Sequence, residues 1–290
     1  MARFIIVGAG LAGLYLAEKL HNRGHEVVVL ERLERPGGVW ILHDEFEIKE
    51  YPWVRLGVTA LAIQDNCVYT DVGRFCGDYV VEATGFREKT LAELGIFGSR
   101  PSGVFPLWAA VRILEFGWRP GRKVAIYGCN RWAQGLAKKL ADVGVETEVF
   151  GPSPWCKNRV VVRELKGSER LAGVVTDAGT YNVDTLIVAE VVSHSWLGGR
   201  YRVGNSAIVI DEIEYVKKAV DLFIKSLEEG GFLVRVAGLE AFPPVTTGEV
   251  VVKLPASGVI DICGVETAVN EQYAVVRIRE GCLLRYVRRA

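Results

Sequence analysis

Three glycines close to the N-terminus, Gly8, Gly10 and Gly13, have the spacing G-x-G-x-x-G. In a dinucleotide site the first glycine allows a tight turn, the second lets a pyrophosphate approach the backbone, and the third lets a helix pack closely on a strand. The N-terminus of that helix adds N–H groups and a positive dipole end. A structural turn can produce the same spacing, so the flanking sequence decides the interpretation.

The flanking sequence favours a nucleotide site. Residues 3–7 predict a buried strand, residues 11–22 carry apolar side chains at helical spacing, and residues 26–30 read EVVVL, a second buried strand. Together they predict a right-handed strand–helix–strand unit of about 30 residues. Glu31 follows the second strand. A carboxylate there accepts hydrogen bonds from adenosine ribose hydroxyls and repels a 2′-phosphate, which favours FAD or NAD over NADP.

The same pattern returns later in the chain. Residues 78–83 predict a third buried strand, and residues 123–150 then repeat the order of strand, turn, helix and strand. A long helix is expected over residues 208–227, and strand-like segments fill the last sixty residues. A chain of 290 residues with half of its residues hydrophobic suits two domains.

The order of these features resembles that of the two-dinucleotide-binding-domain flavoproteins, the FAD-dependent pyridine nucleotide–disulfide oxidoreductases. The resemblance covers residues 1–230. It rests on the first glycine turn, Glu31, Gly37-Gly38, Ala83-Thr84-Gly85 and Val203-Gly204-Asn205. Within that group, residues 86–122 and 37–46 are most similar to flavoprotein subunits related to anaerobic glycerol-3-phosphate dehydrogenase and to those of dye-linked amino-acid dehydrogenases.

The resemblance implies an α/β fold of two Rossmann-like three-layer domains, the second inserted in the first, plus a small β-rich C-terminal segment. The FAD-binding domain would comprise residues 1–117 and 195–230, and the NAD(P)-binding-like domain residues 118–194. Residues 231–290 would form the C-terminal segment. FAD is the implied cofactor, and use of NAD(P)H stays open.

The expected cofactor-binding residues lie in the first turn, at the ends of two strands and at the late Gly-Asn. In the resembled family, Thr84 and Gly85 would pass the adenine half of FAD, and Gly204 would approach the pyrophosphate and ribityl chain. A helix beginning near Ile210 would point its positive end at the flavin pyrimidine ring. No catalytic residue is assigned. The full set is Gly8, Gly10, Leu11, Ala12, Gly13, Glu31, Arg32, Gly38, Val39, Ala83, Thr84, Gly85, Gly204 and Asn205.

The chain also departs from the family pattern. No cysteine pair follows Gly38, so disulfide reduction through a family-type dithiol is not expected. In the second turn, Asn130 replaces the glycine that admits a pyrophosphate, and Gly151 stands where an acidic residue would hold an NAD ribose. Positive side chains near this turn would suit a phosphate, so nicotinamide binding and a retained, empty scaffold both remain open. These cations are Arg131, Lys157 and Arg159.

Composition excludes several other classes. Zero net charge gives no basic surplus for nucleic acid. The six cysteines contain no C-x-x-C pair, which argues against a redox dithiol, a zinc ribbon or an iron–sulfur cluster. Buried structural thiols are expected, although pairs that meet in space stay open. No metal-ligand cluster and no membrane span are visible, so a soluble cytoplasmic protein is expected.

These observations predict an FAD-dependent oxidoreductase that passes hydride or electrons between a small substrate or NAD(P)H and an unknown acceptor. One alternative is a non-catalytic nucleotide-binding subunit of a larger dehydrogenase complex, and another is an enzyme that binds NAD in the N-terminal turn. A small-molecule substrate is expected, with a partner subunit or a second copy of the chain as a further possibility.

Overall fold

The computed structural model describes residues 1–47, 49 and 51–288. The chain divides into two compact units. The first comprises Met1–Ile41, Glu45–Phe86 and Ser193–Ala290, and the second comprises Leu42–Asp44 and Arg87–Val192. The second unit is therefore inserted in the sequence of the first, as the fold prediction requires.

The first unit begins with a parallel sheet interrupted by a small meander. Its elements are β1 (Arg3–Val7), α1 (Leu11–Asn22), β2 (Glu26–Leu30), β3 (Val54–Arg55), β4 (Ala60–Gln64), β5 (Cys67–Thr70), β6 (Gly73–Cys76) and β7 (Tyr79–Glu82). A 3-10 helix spans Gly38–Leu42. β1 pairs in parallel with β2 on one side and β7 on the other, and β3 extends the sheet beside β2. β4, β5 and β6 form the antiparallel meander.

The centre of this sheet follows from its sequence. The last four residues of β1, Phe-Ile-Ile-Val, are all buried. A strand that is buried on both faces needs such a continuous apolar run. α1 buries its apolar positions against the sheet, among them Leu14, Leu16 and Leu20. The predicted strand–helix–strand unit is confirmed, and the glycine turn joins β1 to α1.

The inserted part of the chain contains a second parallel sheet and an antiparallel one. Its elements are β8 (Phe86–Glu88), β9 (Phe97–Gly98), β10 (Val104–Pro106), α2 (Leu107–Glu115), β11 (Lys123–Tyr127), α3 (Arg131–Asp142), β12 (Glu146–Phe150), β13 (Val162–Lys166), β14 (Gly173–Thr176), β15 (Gly179–Tyr181), β16 (Thr185–Val188) and β17 (Val191–Ser193). The parallel sheet has the order β10-β16-β11-β12. The other sheet has the order β15-β14-β13-β9.

The second unit begins earlier than the sequence-based boundary at residue 117. It starts at Arg87. The physical reason is strand pairing, because β10 pairs in parallel with β16 inside the second sheet. α2, which follows β10 directly, belongs to the same unit.

The two units repeat one motif with a constant spacing. β1 and β11 begin at Arg3 and Lys123, and α1 and α3 begin at Leu11 and Arg131, so the separation is 120 residues in both cases. β2 and β12 keep that separation. The first turn residue is fixed in the same way in each copy: Gly8 N–H donates to the carbonyl of Leu30, and Gly128 N–H donates to that of Phe150, each at 2.8 Å. Positions in the two turns can therefore be compared one by one.

The chain returns to the first unit through β18 (Tyr201–Arg202), which pairs in parallel with β7 and completes a five-stranded sheet. A 3-10 helix at Gly204–Ser206 follows, and then α4 (Ile213–Glu229). The helix expected to begin near Ile210 thus begins three residues later. Ile210 instead donates its backbone N–H to Asn205 Oδ1 at 2.9 Å, which holds this segment outside the helix.

The C-terminal residues form the expected β-rich segment. Two antiparallel ladders carry most of it: β23 pairs with β21 and β26, and β24 pairs with β25 and β27. No helix within the described part of the chain is long and apolar enough to cross a membrane. The strands are β19 (Phe232–Leu233), β20 (Arg235–Ala237), β21 (Glu240–Phe242), β22 (Val245–Thr246), β23 (Glu249–Lys253), β24 (Gly258–Ile262), β25 (Val265–Val269), β26 (Tyr273–Arg277) and β27 (Leu283–Val287).

The cysteines correct one expectation. They are not structural thiols, because all six are joined in three disulfides: Cys67–Cys76, Cys129–Cys156 and Cys263–Cys282. The first lies between paired residues of β5 and β6. The second lies in the second glycine turn. The partners are separated by 9, 27 and 19 residues, so no C-x-x-C spacing marks them.

Candidate functional site

Two glycines of the first turn are required by packing within the protein. Gly8 has φ +109°, and a Cβ there would overlap the backbone carbonyl oxygen of Ala83 at the end of β7. A Cβ on Gly13 would overlap the carbonyl oxygen of Gly8. These two positions let β1, β7 and α1 approach one another, which is the role that the motif assigns to its first and third glycines.

Gly10 differs, because nothing in the protein requires a glycine there. A Cβ at this position would meet no atom within 4 Å. Gly10 is the N-cap of α1 and has no side chain to accept a hydrogen bond from the first helical turn. The space in front of the helix N-terminus is therefore open, and N–H groups and the positive dipole end face it. This arrangement suits an anionic group such as a pyrophosphate.

A second glycine pair lies beside the open N-terminus. Gly37 N–H donates to the carbonyl oxygen of Ala9 at 2.8 Å. Gly38 has φ +57°, and a Cβ there would lie 3.5 Å from Gly10 Cα. Val39 is buried, whereas Arg32 is exposed. The structure thus brings Gly38 to the first glycine turn. Arg32, which directly follows Glu31 in the sequence, lies on the surface.

The Glu31 side chain is held at the first glycine turn. Its side chain is 8% exposed. Its carboxylate accepts hydrogen bonds from the backbone N–H of Ala9 at 2.8 Å and of Leu33 at 2.9 Å. Each carboxylate oxygen has a further lone pair, so Glu31 keeps the capacity to accept ribose hydroxyls while the turn holds it in position.

The end of β7 contains a carboxylate that the sequence analysis did not identify. Glu82 is fully buried. It accepts hydrogen bonds from Ser195 Oγ and Trp196 N–H, both at 2.6 Å, and from Gly199 N–H at 3.1 Å. Burial raises the pKa of Glu82, and hydrogen bonds from Ser195, Thr84, Gly199 and Trp196 outweigh it, so the pKa lies below its usual value. The signal that the sequence offered for this residue was an acidic side chain, Glu82, within the run DYVVEA that predicts a buried strand.

Glu82 also organises the predicted Ala83-Thr84-Gly85 turn. Thr84 Oγ1 donates to Glu82 Oε1 at 2.9 Å, so this hydroxyl serves the protein rather than pointing freely at a ligand. Ala83 supports Gly8 through its backbone. Gly85 has φ +83° and open space around its Cβ position. The expected contacts of Thr84 and Gly85 with an adenine group stay predictions.

The returning chain meets α1 at Gly204. Gly204 has φ +60°, and a Cβ there would overlap the Cβ of Ala12 in the first helical turn. Asn205 is 8% exposed. Its side-chain oxygen already accepts the Ile210 N–H. The structure therefore brings Gly204 and Ala12 together beside Leu11, which is itself buried. The cofactor contacts expected of Gly204 and Asn205 stay predictions.

In the second glycine turn, a side chain of the protein caps the N-terminus of α3. Asn130 is the N-cap of α3, and its Oδ1 accepts the N–H of Ala133 at 2.9 Å. Its Nδ2 donates to the carbonyl oxygen of Ala189 at 2.6 Å. Trp132 fills the first helical turn and is fully buried. One of the helix N–H groups that would bind a phosphate is thus satisfied by the protein itself.

Two further features of the described residues bear on chemistry. A cavity of about 240 Å³ lies in the first unit near the start of α1. Within the described ranges, no group of three or more His, Cys, Asp and Glu side chains could hold a metal ion. The cavity is lined in part by Leu11, Leu14, Tyr15, Phe46, Tyr51 and Lys217.

Comparison with known proteins supports the nucleotide fold. Residues 6–71 match the NAD(P)-binding Rossmann-like domain. The chain is 50% identical over 42 residues to flavin-containing monooxygenase FMO GS-OX-like 4 of Arabidopsis thaliana, a match that covers 14% of this chain and 9% of that protein. The matches span a quarter or less of the first two curated relatives.

Solved structures share the fold at low identity. L-proline dehydrogenase from P. horikoshii is 20% identical, with a TM-score of 0.54, over 79% of this chain and 56% of that one. Thioredoxin reductase from T. acidophilum is 15% identical, with a TM-score of 0.55, over 78% of this chain and 99% of that one. The predicted fold class of two Rossmann-like domains is confirmed.

Proposed function

We propose that this chain is an FAD-dependent oxidoreductase that binds the cofactor in the first turn. The observation that carries the proposal is the open helix N-terminus at Gly10, a position where a Cβ would meet nothing in the protein. The carboxylate of Glu31 lies at the same turn, held by Ala9 N–H. Several of the similar curated proteins are named flavin-containing monooxygenases, which favours FAD over NAD as the dinucleotide.

The residues of the first unit would act as follows. The backbone from Gly10 to Gly13 would bind the pyrophosphate, with Leu11 and Ala12 supplying helix N–H groups. Glu31 would accept the adenosine ribose hydroxyls and disfavour a 2′-phosphate, and Arg32 would lie at the rim. Bound flavin supplies reversible hydride and electron transfer. The remaining contacts would come from Gly8, Gly38, Val39, Ala83, Thr84, Gly85, Gly204 and Asn205.

The reaction would pass hydride or electrons between a small substrate or NAD(P)H and an acceptor. A mechanism without a family-type dithiol fits the positions of the first-unit cysteines. Cys67–Cys76 joins neighbouring meander strands, and Cys263–Cys282 joins residues of the C-terminal segment. No cysteine stands between Gly38 and Cys67, where such a pair would follow the first turn.

A second candidate is a non-catalytic nucleotide-binding subunit of a larger dehydrogenase. The self-capped second turn favours it, because Asn130 already uses the Ala133 N–H that would bind a phosphate. A partner subunit or a second copy would then complete the enzyme. The cytoplasmic location stays a prediction, since disulfides are common in oxidising compartments and also occur inside hyperthermophiles.

Identification of the bound nucleotide tests these proposals. We expect purified protein to be yellow and to release FAD on denaturation, as read by mass spectrometry. Release of NAD would instead support an NAD-linked enzyme, and a colourless protein that takes up no FAD would contradict the main proposal. Bleaching of bound FAD by NADH, NADPH or a small substrate would favour the enzyme. Bound FAD that none of them reduces, with copurification of a second chain, would favour the non-catalytic subunit.

A further inference from the structure

The disulfide between Cys129 and Cys156 covers the place where the second unit would bind a nucleotide. Cys129 directly follows Gly128 in the turn, and Cys156 lies in the loop after β12; their Cα atoms are 5.4 Å apart. A Cβ on Gly151 would lie 3.1 Å from Cys156 Sγ and 3.3 Å from Cys129 Sγ. Both sulfur atoms therefore lie over the carboxyl end of β12, beside the N-terminus of α3.

The 120-residue repeat shows what this place holds in the first unit. Ala9 and Glu31 are the counterparts of Cys129 and Gly151. There, the Ala9 N–H donates to the Glu31 carboxylate at 2.8 Å. In a dinucleotide site of this kind, that carboxylate marks the position of the adenosine ribose. One copy thus presents a ribose acceptor, and the other covers the same position with a disulfide.

The loop that carries Cys156 is folded back over the strand end. Gly151 N–H donates to the carbonyl of Asn158 at 3.3 Å, and Val160 N–H donates to that of Gly151 at 3.0 Å. Cys156 is 8% exposed. Lys157, next to it, is exposed. Release of Cys156 would remove the covalent link over this strand end, and the exposed cation Lys157 is the next residue in the loop.

This disulfide also differs in position from a simple link between strands. Cys67–Cys76 joins two residues that already pair across adjacent strands. Cys129 instead lies in the second glycine turn and is partly exposed, so a small reductant can reach it. Position and access together indicate more than a structural role.

We propose that Cys129–Cys156 is a redox-controlled lock on an adenine-dinucleotide site in the second unit. The closed disulfide occupies the ribose position and excludes the dinucleotide. A dithiol reductant gives two electrons and two protons to the disulfide, becomes a disulfide itself and leaves two protein thiols. The freed loop then moves off Gly151, and Lys157 and Arg159 favour a 2′-phosphorylated ligand. The proposal does not depend on FAD in the first unit.

Equilibrium binding of NADPH to the full chain tests the lock. The test protein carries Cys129→Ser and Cys156→Ser, and the matched control carries Cys67→Ser and Cys76→Ser; both are titrated without reductant. We expect the test protein to bind NADPH at least tenfold more tightly than oxidised wild type, and the control to behave like wild type. Equal affinity in all three proteins, or a gain in the control as well, would overturn the proposal.

Two further measurements keep the result unambiguous. If the test protein does not fold, wild type is titrated after reduction with dithiothreitol and again after reoxidation, with thiols counted each time; the lock predicts binding that appears and then disappears, and unchanged affinity rejects it. Adding Gly10→Val to the test protein separates the two turns. If this triple variant still binds NADPH with the affinity of the test protein, binding is assigned to the second unit. If the added Gly10→Val change abolishes NADPH binding, the lock is refuted.

Discussion

The two glycine turns of this chain share one backbone plan and differ in what fills the space in front of the helix. In the first turn, the N-cap is Gly10, and a Cβ there would meet nothing within 4 Å. In the second, the N-cap is Asn130, whose side chain bonds both Ala133 and Ala189. The comparison teaches that a repeated strand–helix–strand fold does not by itself make a ligand site. In the second turn, the Asn130 cap and the Cys129–Cys156 disulfide both act against a ligand.

The largest expected effect comes from filling the open space in the first turn. Gly10→Val should abolish FAD retention, because the added side chain blocks pyrophosphate approach, while its Cβ has open space in the protein. Flavin absorbance per chain measures the effect. Asn22→Val is the control, since it adds the same side chain at the exposed far end of α1. Retention of FAD by Gly10→Val would mean that the binding turn lies elsewhere.

The next effect tests the role of the buried Glu82 carboxylate at the end of β7. Glu82→Gln should lower the free energy of unfolding by about 2–4 kcal/mol, because hydrogen bonds to a buried charged acceptor are lost or weakened. Denaturant unfolding at neutral pH gives the value. Ser195→Ala, which removes one of the donors, should cost less. An unchanged free energy of unfolding in Glu82→Gln would contradict the role assigned to this carboxylate.

Glu82 also predicts a pH dependence. Its pKa in the folded protein is lowered, so its contribution to stability is fully present above the unfolded-state pKa of about 4.3. That contribution is lost as the pH falls through the lower folded pKa. Wild type should therefore lose more stability than Glu82→Gln on acidification from neutral pH to below about pH 4. Parallel pH profiles for the two proteins would disagree with this account.

A smaller effect distinguishes the glycines within the first turn. Gly13→Ala should destabilise the nucleotide-free protein by about 1–3 kcal/mol, because its Cβ would overlap the Gly8 carbonyl oxygen and force the turn to shift. Gly10→Ala has open space and should leave that stability nearly unchanged. Urea unfolding of the two apoproteins makes the comparison. Equal losses would show that packing does not separate the two positions.

The smallest effect concerns the cap of the second turn. Asn130→Ala should destabilise the protein by about 1 kcal/mol, the usual cost of losing an N-cap side chain. It should leave FAD content unchanged, since Asn130 belongs to the other copy of the motif. Thermal unfolding and flavin absorbance on the same sample check both statements. Loss of FAD in this variant would indicate that the flavin binds in the second turn, which contradicts the proposal.

Local patterns predicted much of this fold, because the information for them lies within a few residues. The apolar run of β1, the helical spacing of α1 and the glycines between them are read directly from the sequence. The boundary of the second unit was harder, since β10 belongs there only through its pairing with β16. The start of α4 was missed because the side chain of Asn205 takes the Ile210 N–H.

The parts of the site that escaped prediction depend on contacts between distant residues. Apart from Thr84, the donors to Glu82 come from residues 195–199, more than 110 positions away along the chain. The disulfides join cysteines 9, 27 and 19 residues apart, spacings that carry no local signal. Asn130 was recognised as a replaced glycine, but its capping bonds required the three-dimensional positions of Ala133 and Ala189.

One measurement tests the central comparison most directly: the identity and number of nucleotides released per chain by oxidised wild type, read beside Gly10→Asn and Asn130→Gly. Gly10→Asn gives the first helix the cap of the second, and Asn130→Gly removes it. The account predicts one FAD per chain in wild type and Asn130→Gly, and none in Gly10→Asn. FAD retained by Gly10→Asn and lost from Asn130→Gly would contradict it.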